Sequence, residues 1–419
     1  MRFTVVHAAD LHLDTPCSGL GRTAPAVADA LREASLESFD RLVELCLDEQ
    51  AAILLLAGDV YDGPERGIRA ERRLLGGLAR LGDAGVRTFI VHGNHDPLAG
   101  HEHAAALPAG SFAFPADQVL SVPVEWDGVE IATVHGISFR EREERRNLAR
   151  LFQASGPGMQ IGVLHANVGD PEHAAYAPCS VEDLRSAGMD YWALGHVHRR
   201  LTVLVGGPWA AYPGVLQGRS PAPGERGAKG ALVLECDAAL GLLAPPRFVA
   251  LDRIRFAEIA VDVSELDSAQ AVLDRLEAAA AAERDAADGR ALVLRGVLSG
   301  AYGQDEELHR AQAEMLQSLQ ESGLALAPFV WWDALDVQTH PPLRREEVLA
   351  GSDLAAEVLR EVDRLALAPA ELLAMLGELD QSLMRLPVRD ALGRRREPEE
   401  LLRAAEDVCL RLLVGGGGQ

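Results

Sequence analysis

The sequence predicts an α/β protein: two sheets flanked by helices, then a small α+β unit, then a C-terminal helical region. Three observations predict it. Apolar, β-branched runs alternate with stretches of helical periodicity through the first hundred residues. Shorter strands follow after Ala116. Near Leu251 the character changes again, and eleven of the 13 histidines already lie before residue 199. With 419 residues, 48% hydrophobic and 25% charged, the chain is long enough for a large core and two or three domains.

Phe3 to Val6 reads as a strand ending at Asp10, and Ala26 to Gln50 as a helix with Leu31, Leu36, Phe39, Leu42, Val43 and Leu47 on one face. Ala52 to Ala57 is a continuous apolar strand, Arg69 to Asp83 a helix, and Arg87 to Val91 a strand. This βαβαβ order implies a parallel sheet covered on both faces, with ligands taken beyond the carboxyl ends of its strands. Val129 to Val134, Gln160 to Leu164, Tyr191 to Leu194 and Ala231 to Glu235 have the look of a second sheet. From Ile254 a new alternation begins: strand Ile254 to Val263, helix Ser268 to Ala287, strand Ala291 to Leu298, helix Glu306 to Glu321, strand Ala327 to Val337. It resembles a small split-βαβ cap. Glu346 to Leu365, Pro369 to Leu383 and Glu397 to Leu413 read as amphipathic helices, and Gly415 to Gln419 as a flexible tail. The domains are expected at 1–250, 251–343 and 344–414, with 415–419 as the tail.

Five apolar runs end in residues that ligate metals: Asp10 and His12; Gly58, Asp59 and Asp62; Gly93, Asn94, His95 and Asp96; His165 and Asn167; Gly195, His196 and His198. Singly, each is an ordinary turn sequence. Together, one at each strand end, they supply enough oxygen and nitrogen donors to hold two divalent cations side by side. The two imidazoles of His196 and His198 are two residues apart, so in extended backbone they point the same way. The residues read as a binuclear metallohydrolase.

Charge and cysteines narrow the classes further. The net charge is −23, residues 1–250 carrying 22 basic and 31 acidic side chains and the remainder 18 and 32. No broad nucleic-acid surface is visible, so a phosphate-rich substrate would be drawn by metals and local arginine clusters. Of 40 basic residues only Lys229 is a lysine. Cys17, Cys46, Cys179, Cys236 and Cys409 are odd in number and scattered, which argues against a disulfide framework and for a reducing cytoplasm. The longest apolar run, Ala51 to Ala57, is far short of the ~20 residues of a membrane helix. No targeting segment is expected.

The ordered motifs D-x-H, G-D-x-x-D, G-N-H-D, a later His and G-H-x-H resemble the signature of the calcineurin-like metallophosphoesterases. Ala9 to Asp14, Leu164 to Val168, and Tyr212 to Arg219 followed by Lys229-Gly230 resemble the DNA-repair exonuclease branch, the SbcD/YhaO-like nucleases. The likeness is strong over about residues 1–250 and extends beyond in layout only. Phosphatases of the superfamily have Arg-Gly after the second motif and Glu in the third, whereas here Gly63-Pro64 and Asp96 stand there.

The resemblance implies a metallophosphoesterase sandwich with two divalent metals, manganese by family resemblance; the ligand set alone would also admit iron, zinc or cobalt. One metal would be held by Asp10, His12, Asp59 and His198 and the other by Asp59, Asn94, His165 and His196, with Asp59 bridging. A bridging hydroxide would attack the backbone phosphate. His95 would be the catalytic proton donor to the leaving oxygen. Some family nucleases have His where this chain has Asp62, so Asp62, with Asp96, is expected to orient ligands from outside the coordination shell. Arg199, Arg200 and Arg219, beside motifs, are the candidate phosphate contacts. His7 and His92 are expected to be buried, hydrogen-bonded strand residues. His135 exceeds the family's ligand count and is expected to be structural, His101 and His103 to be solvated, and Arg140 to Arg150 to form a solvated, internally paired helix.

The function expected is a Mn2+-dependent DNA phosphodiesterase, exonuclease or endonuclease, acting in DNA repair. By resemblance its C-terminal helices would dock a coiled-coil ATPase of the SbcC/YhaN type, with a homodimer as a further family expectation and no membrane association. A phosphodiesterase for nucleotides or other small phosphodiesters stands as the alternative. A non-catalytic scaffold on a degenerate fold would require lost ligands, and every ligand position is filled.

Overall fold

A computed structural model describes residues 1–15, 25–63, 67–99, 106–169, 176–342 and 345–375, together with residues 402, 403, 405, 406 and 409. The chain divides into two compact units, one comprising Met1–Ile259, Glu277–Gly296 and Leu316–Ala334, the other Ala260–Leu276, Val297–Met315 and Leu335–Gln419.

The first unit opens with β1 (Arg2–Ala8), α1 (Pro25–Asp48), β2 (Ile53–Ala57), α2 (Ile68–Asp83), β3 (Arg87–Val91) and β4 (Ser111–Ala113). There follow β5 (Leu120–Trp126), β6 (Val129–Gly136), β7 (Met159–His165), α3 (Val181–Ser186), β8 (Tyr191–Gly195), β9 (Leu201–Leu204) and β10 (Trp209–Tyr212), then β11 (Gly230–Asp237), β12 (Gly241–Leu242) and β13 (Arg247–Ala250). Two sheets result. The seven-stranded sheet runs β12-β11-β1-β2-β3-β4 with β13 also on β11, and the six-stranded sheet runs β5-β6-β7-β8-β10-β9. β1, β2, β3 and β4 are mutually parallel, as are β6, β7, β8 and β10.

Alternation along the strands builds the layers. Phe3, Val5, Ile53, Leu55 and Phe89 face Val124, Ile131, Val134, Ile161 and Val163 of the other sheet in one buried core. Val6, Ala8, Leu54, Leu56 and Ile90 point the other way, onto Leu36, Phe39 and Leu42 of α1 and Leu74, Leu78 and Leu81 of α2. A strand buried on both faces has no reason to alternate polar and apolar residues, which is why β2 reads as an unbroken apolar run. The outer face of the second sheet is closed by Leu148, Phe152 and Leu184 over Leu164, Trp192 and Leu194.

Four expectations are corrected. The run Ala231 to Glu235 belongs to the first sheet, antiparallel to β1 with Arg2 opposite Asp237 and His7 opposite Leu232; its apolar pattern marks a strand but carries no partner. His92 is buried as expected but lies just past the end of β3. Arg140 to Arg150 forms no helix beyond a single 3-10 turn at Leu148–Leu151. Its charges pair outward as well as locally, Arg140 with Asp117 and Arg150 with Asp183 at 2.7 Å. Glu346 to Leu365 is two helices.

A three-stranded sheet in the order β14 (Ile254–Asp262), β15 (Ala291–Ala301) and β16 (Val330–His340) alternates with α4 (Ala269–Ala286) and α5 (Asp305–Leu324). Within the first unit, Ile254, Phe256, Ala291, Val293 and Trp331 pack with Val27, Leu31 and Ala34 of α1. Within the second, α6 (Arg345–Leu349) and α7 (Leu354–Ala366) are separated by Gly351, and Asp353 caps α7 by accepting from the Ala356 N–H at 3.0 Å. Residues 369–375 are helical. The remainder of the expected helix to Leu383, most of Glu397 to Leu413 and the tail 415–419 lie outside the described residues, as do His101 and His103.

Candidate metal centre

Every metal-ligand candidate follows or ends a strand. Asp10 and His12 follow β1, Asp59 follows β2, Asn94 follows β3, His165 ends β7, and His196 and His198 follow β8. The loops after β1 and β2 continue to pair, Asp10 N–H donating to the Gly58 carbonyl and His12 N–H to the Asp59 carbonyl, both at 3.0 Å. Asp10, His12, Asp59 and His196 hold φ values of 50°, 42°, 49° and 110°. Such left-handed backbone is unfavourable for residues with a Cβ, and persists where the surroundings over-determine it. At Gly58, φ is +94° and a Cβ would stand 2.2 Å from His165 Nδ1; at Gly93 it would stand 2.3 Å from Asp59 Oδ1. Both glycines are therefore spaces that ligands occupy.

Proton accounting shows what the cluster is built to hold. The Ala57 carbonyl can only accept, so His165 Nδ1, 3.0 Å away, carries the proton. Burial holds this imidazole neutral by pushing its pKa down. Its Nε2 is then a lone pair, yet it lies 3.0 Å from Asn94 Oδ1 and 3.4 Å from Asp59 Oδ2. Three acceptor atoms converge there, and only a proton on Asp59 or a cation can stand between them. His12 is completely buried, burial pushes its pKa well down, and neither ring nitrogen has a hydrogen-bond partner. Asp10 and Asp59 are buried carboxyls whose pKa values are raised, chiefly by burial. Neutral imidazoles and ill-solvated carboxylates in one place fit a cation. Ligand atoms of Asp10, His12 and His198 lie within 4.8 Å of one another, and so do those of Asp10, Asp59 and His165. Asp59 Oδ2 is 3.4 Å from His165 and 4.0 Å from His12, the position a carboxylate shared between the two groups would take. His196 is tied in by its backbone N–H, which donates to Asp10 at 3.1 Å, and its ring stands 5.3 Å from that of His165.

A cavity of about 560 Å3 opens over this cluster, lined by Asp59, Asn94, His95, His196 and His198, with Arg142, Tyr176, Arg199 and the 222–225 turn. His95 Nδ1 is 2.5 Å from Asp62 Oδ1, and the other Asp62 oxygen accepts from Arg219 Nη1 at 3.1 Å. The Asp62 hydrogen bond raises the His95 pKa, and His95 in return lowers that of Asp62. Asp96 accepts from the Val60 and Gly93 backbone N–H groups at 3.0 and 2.8 Å and from His92 Nδ1 at 3.1 Å, clamping the loops that carry Asp59 and Asn94.

The comparisons with known proteins bear on this geometry. The calcineurin-like phosphoesterase family model matches residues 3–200, and that of the metallophosphoesterase YhaO middle domain matches residues 256–340. The chain is 30% identical over 347 residues to the metallophosphoesterase YhaO of Bacillus subtilis, covering 80% of this chain and 82% of that protein. The chain belongs to the calcineurin-like metallophosphoesterases. Within that superfamily the YhaO, Mre11 and SbcD matches support the YhaO and DNA-repair nuclease branch. The DNA double-strand break repair protein Mre11 of Aeropyrum pernix is 30% identical over 227 residues, 51% of this chain and 53% of that protein. A UDP-2,3-diacylglucosamine hydrolase of Ralstonia nicotianae is 28% identical over 228 residues, 46% of this chain and 77% of its own. This metallophosphoesterase is therefore a hydrolase, and its family implies divalent metal ions.

The other expected residues of the metallophosphoesterase divide clearly. His7 Nδ1 meets the Tyr191 hydroxyl at 2.9 Å inside the sandwich, and His135 uses both ring nitrogens on Ser121 and Gln160; neither stands among the ligand groups. Arg199 lines the cavity, Arg200 lies to one side of it with its guanidinium 4.2 Å over the Phe248 ring, and Arg219 is bound to Asp62 and Glu225. Three residues were missed. Glu225 accepts from His198 Nδ1 at 3.1 Å, while Arg142 and Tyr176 line the cavity. Arg142 was visible only as one charge in an alternating run, and nothing in the sequence marks the other two. No helix among the described residues is long and apolar enough to cross a membrane.

Proposed function

We propose that this chain is a metal-dependent DNA phosphodiesterase of the repair-nuclease type. The observation that carries the reading is His95, held on Nδ1 by Asp62 in the same cavity that Asp59, Asn94, His196 and His198 line. Two divalent ions, manganese by family resemblance, would be held by Asp10, His12, Asp59 and His198 and by Asp59, Asn94, His165 and His196. When bound they supply the charge that activates water and offsets the negative charge building on phosphorus. With Nδ1 engaged, His95 has Nε2 left to hand a proton to the leaving oxygen. Asp62 fixes the rotation of that ring and is itself fixed by Arg219. Asp96 and Glu225 hold the loops and ligands from behind.

The likeness to a DNA double-strand break repair protein supports DNA as substrate. We assign residues 1–250 to the nuclease domain, 251–343 to a cap that channels nucleic acid, and 344–414 to helices that dock a coiled-coil ATPase; the YhaO middle-domain match at 256–340 supports the cap. A cytoplasmic location and a homodimer complete the assignment. Replacing His95 by alanine should lower cleavage of a labelled duplex by roughly 10²–10⁴-fold with metal content unchanged. Turnover equal to the parent protein would remove His95 from the chemistry.

A phosphodiesterase for small substrates is favoured by the likeness to the UDP-2,3-diacylglucosamine hydrolase and by a net charge of −23. Rates on an aryl phosphodiester, cyclic nucleotides and duplex ends, with ends open and blocked, separate this reading from the first and exonuclease from endonuclease.

A further inference from the structure

Beside the cavity over the metal-ligand cluster lies a second one of about 760 Å3, and Arg199, Pro223 and Gly224 line both. Six arginines reach the second cavity, namely Arg199, Arg200, Arg226, Arg247, Arg255 and Arg290, and the chain's single lysine, Lys229, joins them. Asp288 is the one acid on its wall. In a protein of net charge −23, so dense a cluster of cations carries a self-repulsion that an anion would relieve.

Fold maintenance accounts for part of the cluster. Arg255 and Arg290 both bind the fully buried Asp252, Arg255 through Nε and Nη2 at 3.0 and 3.2 Å and Arg290 through Nε at 3.1 Å. Arg290 also stands 3.6 Å from the exposed Asp288, so both charges have carboxylate partners. Lys229 Nζ donates to the His198 and Gly224 carbonyls at 3.1 and 2.6 Å, which braces the loop of a candidate ligand. Arg226 meets Glu258 and Arg247 meets Glu49, each at 2.7 Å. Arg200 is exposed, its guanidinium carbon 4.2 Å over the Phe248 ring, with no carboxylate partner among the described residues. A guanidinium held over an aromatic face still offers N–H donors to a phosphate.

Resting on the DNA reading above, we propose that this arginine-lined cavity is a strand-binding subsite that takes the backbone phosphates next to the one being cut. The two adjoining cavities together exceed the ~300–1,000 Å3 of a small-ligand pocket, so the site as a whole fits a run of nucleotides. The subsite makes the enzyme select by strand length. A mononucleotide or small diester reaches the metal cluster without touching Arg200 or Arg247.

The test measures binding, without turnover. A fluorescein-labelled single strand long enough to span both cavities is titrated with the full chain in chelator, over a range of salt. R200A/R247A should weaken binding about tenfold and reduce the magnitude of the salt slope by about 1.4, the effect of losing two phosphate contacts to a single strand. Glu49→Gln, which removes the carboxylate competing for Arg247, should tighten binding, an effect that misfolding cannot produce. If the double variant and Glu49→Gln bind as the parent does, the subsite is overturned, while cleavage of duplex by the same parent protein with manganese keeps the nuclease reading. If the parent binds no strand and hydrolyses only an aryl phosphodiester, both are overturned.

Discussion

Glu225 reaches the candidate ligand His198 from 27 residues further along the chain. Burial alone would push its carboxyl up, but the His198 hydrogen bond and the Arg219 charge outweigh it and hold the pKa at about 2. Glu225 is therefore ionised throughout the working range. It keeps the His198 proton on Nδ1, which leaves Nε2 for a metal. Glu225→Gln should weaken manganese affinity roughly 10–100-fold, measured by titration of the chelator-stripped protein, and unchanged affinity would mean that Glu225 only braces the turn. The ligands themselves were legible because each sits within a few residues of a strand end, where a motif is contiguous. Glu225 and Tyr176 were not, since their relation to the cluster exists only after folding. Asp62 stands between His95 and Arg219, a placement its spacing from Asp59 does not contain.

Among the elements, α3 has the most explicit boundary. Ser180 accepts from the Asp183 N–H at 3.2 Å while the Asp183 carboxylate accepts from the Ser180 N–H at 2.9 Å, a capping box. Ser180→Ala should lower unfolding free energy by about 1 kcal/mol in urea denaturation. Arg150, Ser180 and Asn147 hold the Asp183 carboxyl well below the usual carboxylate range. A depressed pKa stabilises the fold above the ordinary value of about 3.9 and loses that contribution as pH falls below it. The difference between the parent and Asp183→Asn should thus be full at neutral pH and shrink on acidification, and a difference constant with pH would exclude the carboxylate as its source. Apolar patterning made the strands legible, but β11 shows its limit: alternation reports burial and says nothing of which sheet edge is open. That edge is β1's, and the return of the chain closes it. The break between α6 and α7 lies at Gly351 and the capping Asp353, local punctuation that the continuing apolar period masks.

Across the whole molecule, net charge and local charge differ in sign. The charge of −23 is an average over 419 residues. Folding gathers Arg200, Arg226, Arg247, Arg255 and Arg290, separate in sequence, onto the wall of one cavity beside the candidate metal-ligand residues. No window of sequence could display that concentration. The two parallel sets of strands likewise bring Asp10, Asp59 and Asn94 from one sheet to His165, His196 and His198 from the other, so the site forms only when the sandwich does. The most direct test of a two-metal DNA phosphodiesterase is titration of manganese into the chelator-stripped chain while cleavage of labelled DNA is followed. A two-metal site predicts no cleavage without metal and activity that rises to a plateau at two equivalents per chain. Cleavage that persists in chelator, or manganese bound with the DNA left intact, would contradict it.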